Sequence, residues 1–252
     1  MIDNPEPENW RELQNSVHRL LTEIGLNAEI EKKVTTPRGK VEIDVWAIDE
    51  NSVDQICYVV ECKNWEATIP QSVVHSFTTV MHETGANIGF IISKNRLQPG
   101  AVDYTQNTNI IGLTYLELQY RYLTIWLKKY FTIRIYSIAD SLIQYTEPFN
   151  SRRERFIEEL STIKKQEFRN LYEKYKNFWM IMTVIQTQNF LNRADVSGSE
   201  EMVNFKDKLK SALGEEFSFH SIYYRDLALE ICKKIGEVTE KFNCVFGRNI
   251  FA

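Results

Sequence analysis

Asp44, Glu61 and Lys63 sit in two short segments that together can do chemistry. Val41-Glu42-Ile43-Asp44-Val45-Trp46-Ala47 and Tyr58-Val59-Val60-Glu61-Cys62-Lys63 are rich in β-branched and aromatic residues, and Asp49-Glu50-Asn51 between them favours a turn. Side chains alternate along a strand, so Glu61 and Lys63 face the same way. If the two strands form a hairpin, the Asp44 carboxylate approaches Glu61. Neighbouring carboxylates repel unless a proton or a divalent cation lies between them. A hard cation such as Mg²⁺ suits them, since it takes oxygen ligands and keeps waters that a phosphodiester can displace. A lysine beside that site can orient or help deprotonate an attacking water and stabilise the charge that builds on phosphorus. Such a set suffices for phosphodiester hydrolysis. The bland alternative is a surface ion pair between Glu61 and Lys63, which is worth little; the apolar run Tyr58-Val59-Val60 favours a buried strand instead.

Positioning these groups requires a sheet, and the surrounding pattern supplies one. Leu13, Val17, Leu20, Leu21 and Ile24 mark one face of a helix over Trp10–Ile24, stopped by Gly25. Three consecutive strands follow, over Ala28–Val34, Val41–Ile48 and Gln55–Glu61. Pro70 opens a helix to His82, Ile88–Ser93 is a strand, Gly100–Thr105 is helical, and Ile110–Tyr115 is a last strand. That order predicts an α/β domain, a mixed sheet with helices packed on it.

This region resembles the PD-(D/E)XK nucleases, in a form closest to the Mrr-like restriction endonuclease family. The resemblance runs from Trp10 to about Leu118 and rests on Ile43-Asp44-Val45, Val60-Glu61-Cys62-Lys63, Gly85-Ala86, Gly89-Phe90-Ile91-Ile92-Ser93 and Gly100-Ala101. It implies a restriction-endonuclease-like fold and a metal-dependent endonuclease acting on double-stranded DNA in restriction or anti-phage defence. Asp44 and Glu61 then hold the metal, Mg²⁺ or alternatively Mn²⁺, and Lys63 is the catalytic lysine. Many relatives complete the metal site with an acid from the first helix. The aligned position here is Gln14, with Glu12 half a turn earlier, so either the Gln14 carbonyl oxygen or Glu12 fills that role. This departure motivates a second reading, a catalytically inactive nuclease-fold protein serving as a DNA-binding or assembly subunit.

The rest of the chain differs in kind. Residues 1–119 carry nine Lys/Arg against seventeen Asp/Glu, whereas residues 120–252 carry twenty-one against seventeen, so the basic charge is concentrated after the candidate site. All six prolines lie at or before Pro148. We divide the chain into a nuclease domain (1–118), a basic, aromatic connector (119–150) and a helical domain (151–252). In the connector Arg121, Lys128, Lys129 and Arg134 alternate with Tyr122, Trp126, Tyr130 and Phe131, a pattern able to hold phosphate and stack on bases, or else the solvated face of a helix. Arg152, Arg153 and Arg155 form a second basic cluster, diluted by Glu154, Glu158 and Glu159. Phe168, Leu171, Tyr175, Phe178, Met182 and Ile185 keep a 3-4-3-4-3 spacing, which predicts one long helix packed on another, within a bundle or between chains. Arg193–Ser199 breaks it, Ser197 and Glu200 resemble a capping box for a helix ending at Gly214, and a last helix runs from Tyr224 to Phe242. Self-association through these helices, and a defence-system partner protein, are the expected contacts.

Other residue types are less eloquent. His75 and His82 are seven apart on the Pro70 helix with no third ligand at matching spacing, and read as ordinary helix residues. Trp46 and Trp65 bracket the motif as core or wall residues, with base stacking the alternative, and Gln71 is either a substrate contact or an exposed residue of the helix start. Four cysteines (Cys57, Cys62, Cys232, Cys244) form no CxxC array and read as reduced, mostly buried thiols. No apolar run reaches the ~18–20 residues of a membrane span, and the acidic, proline-containing start lacks the features of a signal peptide. A cytoplasmic protein with no membrane contact is expected.

Overall fold

Asn9 starts the first helix. Its side chain accepts the Glu12 backbone N–H at 2.9 Å, setting α1 over Trp10–Glu23. The face carrying Leu13, Val17, Leu20 and Leu21 is buried, and Gly25 ends the helix with a φ of 91°, open to glycine and strained for other residues. β1 (Asn27–Thr36) turns back through Gly39 into β2 (Gly39–Ile48), which pairs antiparallel with β3 (Cys57–Lys63). α2 (Gln71–Thr84) then crosses the sheet so that β4 (Ile88–Ser93) pairs parallel with β3. α3 (Pro99–Thr105) does the same for β5 (Ile110–Thr114). The sheet is five-stranded in the order β1-β2-β3-β4-β5, mixed as the sequence predicts.

The computed structural model describes residues 1–186 and 199–252, in two units: Asn4–Lys129, and Met1–Asp3 with Tyr130–Ala252. In the first unit, Ile43, Val59, Val74, Phe77 and Ile91 join α2 to one face of the sheet. The packing there is close enough that a Cβ on Gly89 would lie 2.6 Å from the Phe77 ring. β4 is buried on both faces, as parallel strands are when helices cover each side.

Several boundaries differ from the sequence reading. β3 begins at Cys57 rather than Gln55, because Gln55 takes a φ of 47° in the loop closed by Asp49 N–H to the Ile56 carbonyl. At its other end the strand runs past Glu61, where the sequence reading stopped, to Lys63. Tyr115 does not end β5 but opens α4 (Tyr115–Trp126), because Thr114 and Glu117 form a reciprocal capping box.

After α4 the backbone makes a π-helical turn over Leu127–Phe131. The second unit is helical: α5 (Thr132–Thr146), α6 (Ser151–Glu158), α7 (Thr162–Tyr175), α8 (Phe178–Gln186), α9 (Ser199–Leu213) and α10 (Tyr224–Phe246). The spacing from Phe168 to Ile185 does not make one helix. A turn at Lys176–Asn177 separates α7 from α8, and the Asn177 carbonyl accepts the Ile181 N–H at 3.2 Å to begin the new helix, in keeping with the preference of asparagine for helix starts. Phe168, Tyr175, Phe178, Met182 and Ile185 are all buried within the unit. α10 buries Tyr224, Ile231, Ile235, Val238 and Phe242 as its periodicity predicts, and the Phe242 ring stacks on Tyr145 at 5.0 Å. The break expected from Arg193 and the cap at Ser197 fall outside the described residues. All four cysteines are free, but only Cys62 is fully buried and Cys244 is exposed. Among the described residues no helix is long and apolar enough to cross a membrane.

Arg153 corrects the reading of a second basic cluster. It is 2% exposed, and its guanidinium donates to the carbonyls of Tyr145 (3.1 Å) and Glu147 (2.6 Å) at the end of α5 and to the Glu154 carboxylate (2.8 Å). Helix ends leave carbonyls without intrahelical partners, and the planar guanidinium with its several donors satisfies them together. Arg153→Ala should therefore cost about 3 kcal/mol of unfolding free energy, with Arg153→Lys recovering little of it. Denaturant unfolding followed by circular dichroism measures both; a loss below about 1 kcal/mol for Arg153→Ala would show that the carbonyls find other partners.

Candidate active site

β2 and β3 run in register from Ile48–Cys57 to Val45–Val60, and there the ladder ends. One step further in the same register, Asp44 stands opposite Glu61. The Cys62 N–H, which points toward β2, finds no strand carbonyl and donates instead to Asp44 Oδ2 at 2.6 Å. The side chain thus occupies the wedge between two separating strands. β1 yields at the same level: its pairing with β2 skips from Ile30–Val45 to Lys32–Ile43, and Glu31 between them adopts a φ of 53°. A left-handed non-glycine residue costs about 1 kcal/mol.

Three side chains hold this distortion in place. Gln14 on α1 is fully buried, and its amide nitrogen donates to the Asp44 carbonyl at 3.1 Å. Its carbonyl oxygen accepts from Arg11 Nη1 at 3.4 Å, and the same nitrogen of Arg11 ion-pairs with Glu31. Gln14 therefore grips the Asp44 backbone while its oxygen faces Arg11. The Glu12 carboxylate is engaged elsewhere, accepting the Glu8 N–H at 2.7 Å at the start of α1. Sequence reasoning missed Trp10 and Arg11. Their only trace in the chain is a polar Gln14 beside the apolar stripe of α1, because the contacts are made across the fold.

Glu61 and Lys63 face the same way as the alternation requires, and form an ion pair. They line a groove of about 320 Å³ whose far wall is the Ser72, Ser76 and Val80 face of α2. The Lys63 ammonium lies 5.5 Å over the Trp65 ring, so the exposed Trp65 is a wall of the groove. Trp46 packs against the core instead. His75 stacks on Tyr104 at 4.1 Å and meets Gln71 at 3.2 Å, which fits a structural role for both.

Burial pushes the Asp44 carboxyl above its usual range, and the nearby Glu61 charge adds to the rise. The Cys62 N–H, the Lys63 charge and the Trp10 indole oppose it without cancelling it. The Cys62 thiol is held well above its ordinary value by burial, then by Asp44 and Glu61, so it is no nucleophile. Among the described residues no three His, Cys, Asp or Glu side chains gather into a metal cage. The two neighbouring carboxylates, with no imidazole or exposed thiolate beside them, are a hard-oxygen donor set that fits a cation of the Mg²⁺ type.

The basic residues are spread over several elements. Arg121 lies on α4, its guanidinium 5.7 Å over the Phe90 ring; Lys128 and Lys129 lie in the π-helical turn; and Arg134 lies on α5, 5.7 Å over Tyr130. The first three belong to the unit that contains Asp44, and Arg134 belongs to the helical unit.

The raised Asp44 value has a defined sign. A carboxyl that is harder to ionise in the folded state stabilises the fold most below its unfolded pKa of 3.8, and that stability is lost as pH rises through the higher folded value. Asn cannot ionise and keeps an oxygen for the Cys62 N–H. In EDTA, Asp44→Asn should therefore melt at a higher temperature than wild type at pH 7, with the difference shrinking toward zero below about pH 4. Equal melting temperatures at pH 7 would contradict the burial of an ionised Asp44.

Comparison with known proteins gives these features a context. The Mrr_cat family, described as restriction endonuclease, matches residues 6–120. No curated protein matches the chain. The crystal structure of a protein of unknown function, AF1548, aligns at 20% identity with a TM-score of 0.36, over 40% of this chain and 56% of its own, so this chain spans just over half of it. The family match takes in Asp44, Glu61 and Lys63 and every strand of the mixed sheet. Residues 6–120 are similar to the Mrr_cat restriction-endonuclease family, and their mixed sheet with flanking helices is consistent with a restriction-endonuclease-like fold.

Proposed function

We propose that this domain is a Mg²⁺-dependent endonuclease that hydrolyses phosphodiester bonds of double-stranded DNA. The observation that carries the proposal is the wedge between β2 and β3, which brings the Asp44 carboxylate under the influence of the Glu61 and Lys63 charges. Asp44 and Glu61 are the metal ligands. The cation, Mg²⁺ or alternatively Mn²⁺, supplies a water of lowered pKa and polarises a phosphoryl oxygen. The chain's own groups do the rest. The Cys62 N–H fixes Asp44 Oδ2, which leaves Oδ1 to serve the site, and Gln14 keeps the Asp44 backbone from relaxing into the ladder. Lys63, held between Glu61 and the Trp65 ring, orients the attacking water and stabilises the charge growing on the phosphate oxygens. Gln14 acts by positioning Asp44.

Arg121, Lys128, Lys129 and Arg134 are the proposed phosphate contacts, which position DNA without reading its sequence. Restriction enzymes act on foreign DNA, so we assign the protein to cytoplasmic anti-phage defence, working with a partner protein of the same defence system. Self-association through the helical unit belongs to this proposal too. The Phe168–Ile185 stripe is used inside the unit, so the contact falls to exposed apolar side chains such as Ile133, Ile138 and Leu229. A second reading, an inactive DNA-binding or assembly subunit, is favoured by one observation: Gln14 stands where many relatives have an acid, and it spends its amide on the Asp44 backbone.

Supercoiled plasmid with and without Mg²⁺ separates the two readings. Wild type should nick or linearise it only with the cation. Lys63→Ala should lower the rate by about 100-fold or more, with unfolding free energy within about 1 kcal/mol of wild type. Undiminished cutting by Lys63→Ala removes the lysine from the mechanism. No cutting by wild type with either Mg²⁺ or Mn²⁺ establishes the inactive subunit.

A further inference from the structure

Arg11 is a cation held beside the candidate metal site with part of its guanidinium unused. Its Nη1 ion-pairs with Glu31 and donates to the Gln14 carbonyl oxygen at 3.4 Å, and the Gln14 amide nitrogen donates in turn to the Asp44 carbonyl at 3.1 Å. Two hydrogen bonds and one amide group therefore separate Arg11 from the Asp44 backbone. The guanidinium carbon lies 5.1 Å over the Trp10 ring, which supports it from one side. Nε and Nη2 carry the remaining N–H groups, and neither atom has a hydrogen-bond partner among the described residues. The side chain is 54% exposed, so that edge is not sealed inside the fold.

This arrangement differs from a plain surface ion pair, in which two long side chains swing with little held in place. Glu31 meets Arg11 from a backbone φ of 53°, a conformation that a glutamate adopts at a cost. With Nη1 tied to Glu31 and Gln14 and the Trp10 ring beneath, the Nε–Nη2 edge presents parallel donors in a set direction. Parallel N–H groups of a guanidinium match two oxygens of a phosphate, a contact that lysine does not reproduce. Beside Arg11 the surface of α1 forms a polar hollow of about 470 Å³, in which Asn15 and Arg19 follow Arg11 at four-residue intervals. Its acid, Glu12, is turned to the Glu8 N–H at 2.7 Å.

We propose that Arg11 is a phosphate clamp of this site: its Nε–Nη2 edge grips a DNA backbone phosphate flanking the one that is cleaved, while Glu31 and Gln14 hold the guanidinium in position. The inference rests on the nuclease reading above and adds to it a substrate contact next to Asp44. Such a contact positions the strand and reads no sequence.

The test is fluorescence anisotropy with a labelled, fully paired duplex in EDTA at several salt concentrations. Arg11→Met keeps an unbranched stem over Trp10 and removes the guanidinium. It should bind about tenfold more weakly than wild type, and the slope of log affinity against log salt should shrink by about one. Arg11→Lys keeps the charge without the fork, so it should recover the slope and stay at least about threefold weaker. Arg38→Met removes another exposed arginine of the same unit, one paired with Glu83, and should stay within about twofold of wild type with an unchanged slope. Thermal melts confirm folding, and Arg11→Lys serves if Arg11→Met does not fold. Wild-type affinity in either folded Arg11 variant, an equal loss in Arg38→Met, or no binding by wild type overturns the proposal. Plasmid cleavage measured alongside keeps the two claims apart: cleavage with DNA binding indifferent to Arg11 sinks the clamp alone, and binding that depends on Arg11 without cleavage in Mg²⁺ or Mn²⁺ sinks the nuclease reading alone.

Discussion

An antiparallel strand pair that stops pairing exposes backbone groups, and those groups must find partners or the opening closes. Here the ladder between β2 and β3 stops after Val45–Val60, and the Cys62 N–H finds the Asp44 carboxylate. That one hydrogen bond does two things. It satisfies the freed donor, and it fixes an acidic side chain between the strands at the level of Glu61. Continuous pairing through this level would leave the Cys62 N–H to a backbone carbonyl and Asp44 without its anchor.

The opposing costs are visible. Asp44 is partly withdrawn from water beside another acid, and Glu31 is held in a left-handed conformation. The offset comes from α1, whose buried Gln14 holds the Asp44 carbonyl and whose Arg11 ties Gln14 to Glu31. On the other side, β4 is buried on both faces and pairs with β3 along its whole length, which holds β3 in the sheet past the point where its ladder with β2 ends. A strained segment supported by rigid neighbours is the usual arrangement where a site must be pre-organised.

The candidate trio was legible because strand alternation is a strictly local property: Glu61 and Lys63 are two residues apart whatever surrounds them. The mixed sheet was legible for the same reason, since each strand carries its own composition. Gln14 was not. A polar residue on α1 reads equally as a ligand or a surface group until the sheet beneath it is known, and only its burial against Asp44 decides. Arg153 misled in the same way, since a run of arginines looks solvated until α5 presents its last carbonyls to one of them. Phe168 to Ile185 misled differently. A 3-4 spacing survives a one-turn break when the second helix buries the same face, so periodicity alone does not distinguish one helix from two.

The central claim is that Asp44 and Glu61 face a common space and together hold one hard cation. Calorimetric titration of Mn²⁺ into DNA-free protein tests it directly. The account predicts one site per chain, weakened at least about tenfold in Asp44→Asn and likewise in Glu61→Gln. Binding of wild-type stoichiometry and affinity in both variants would contradict it.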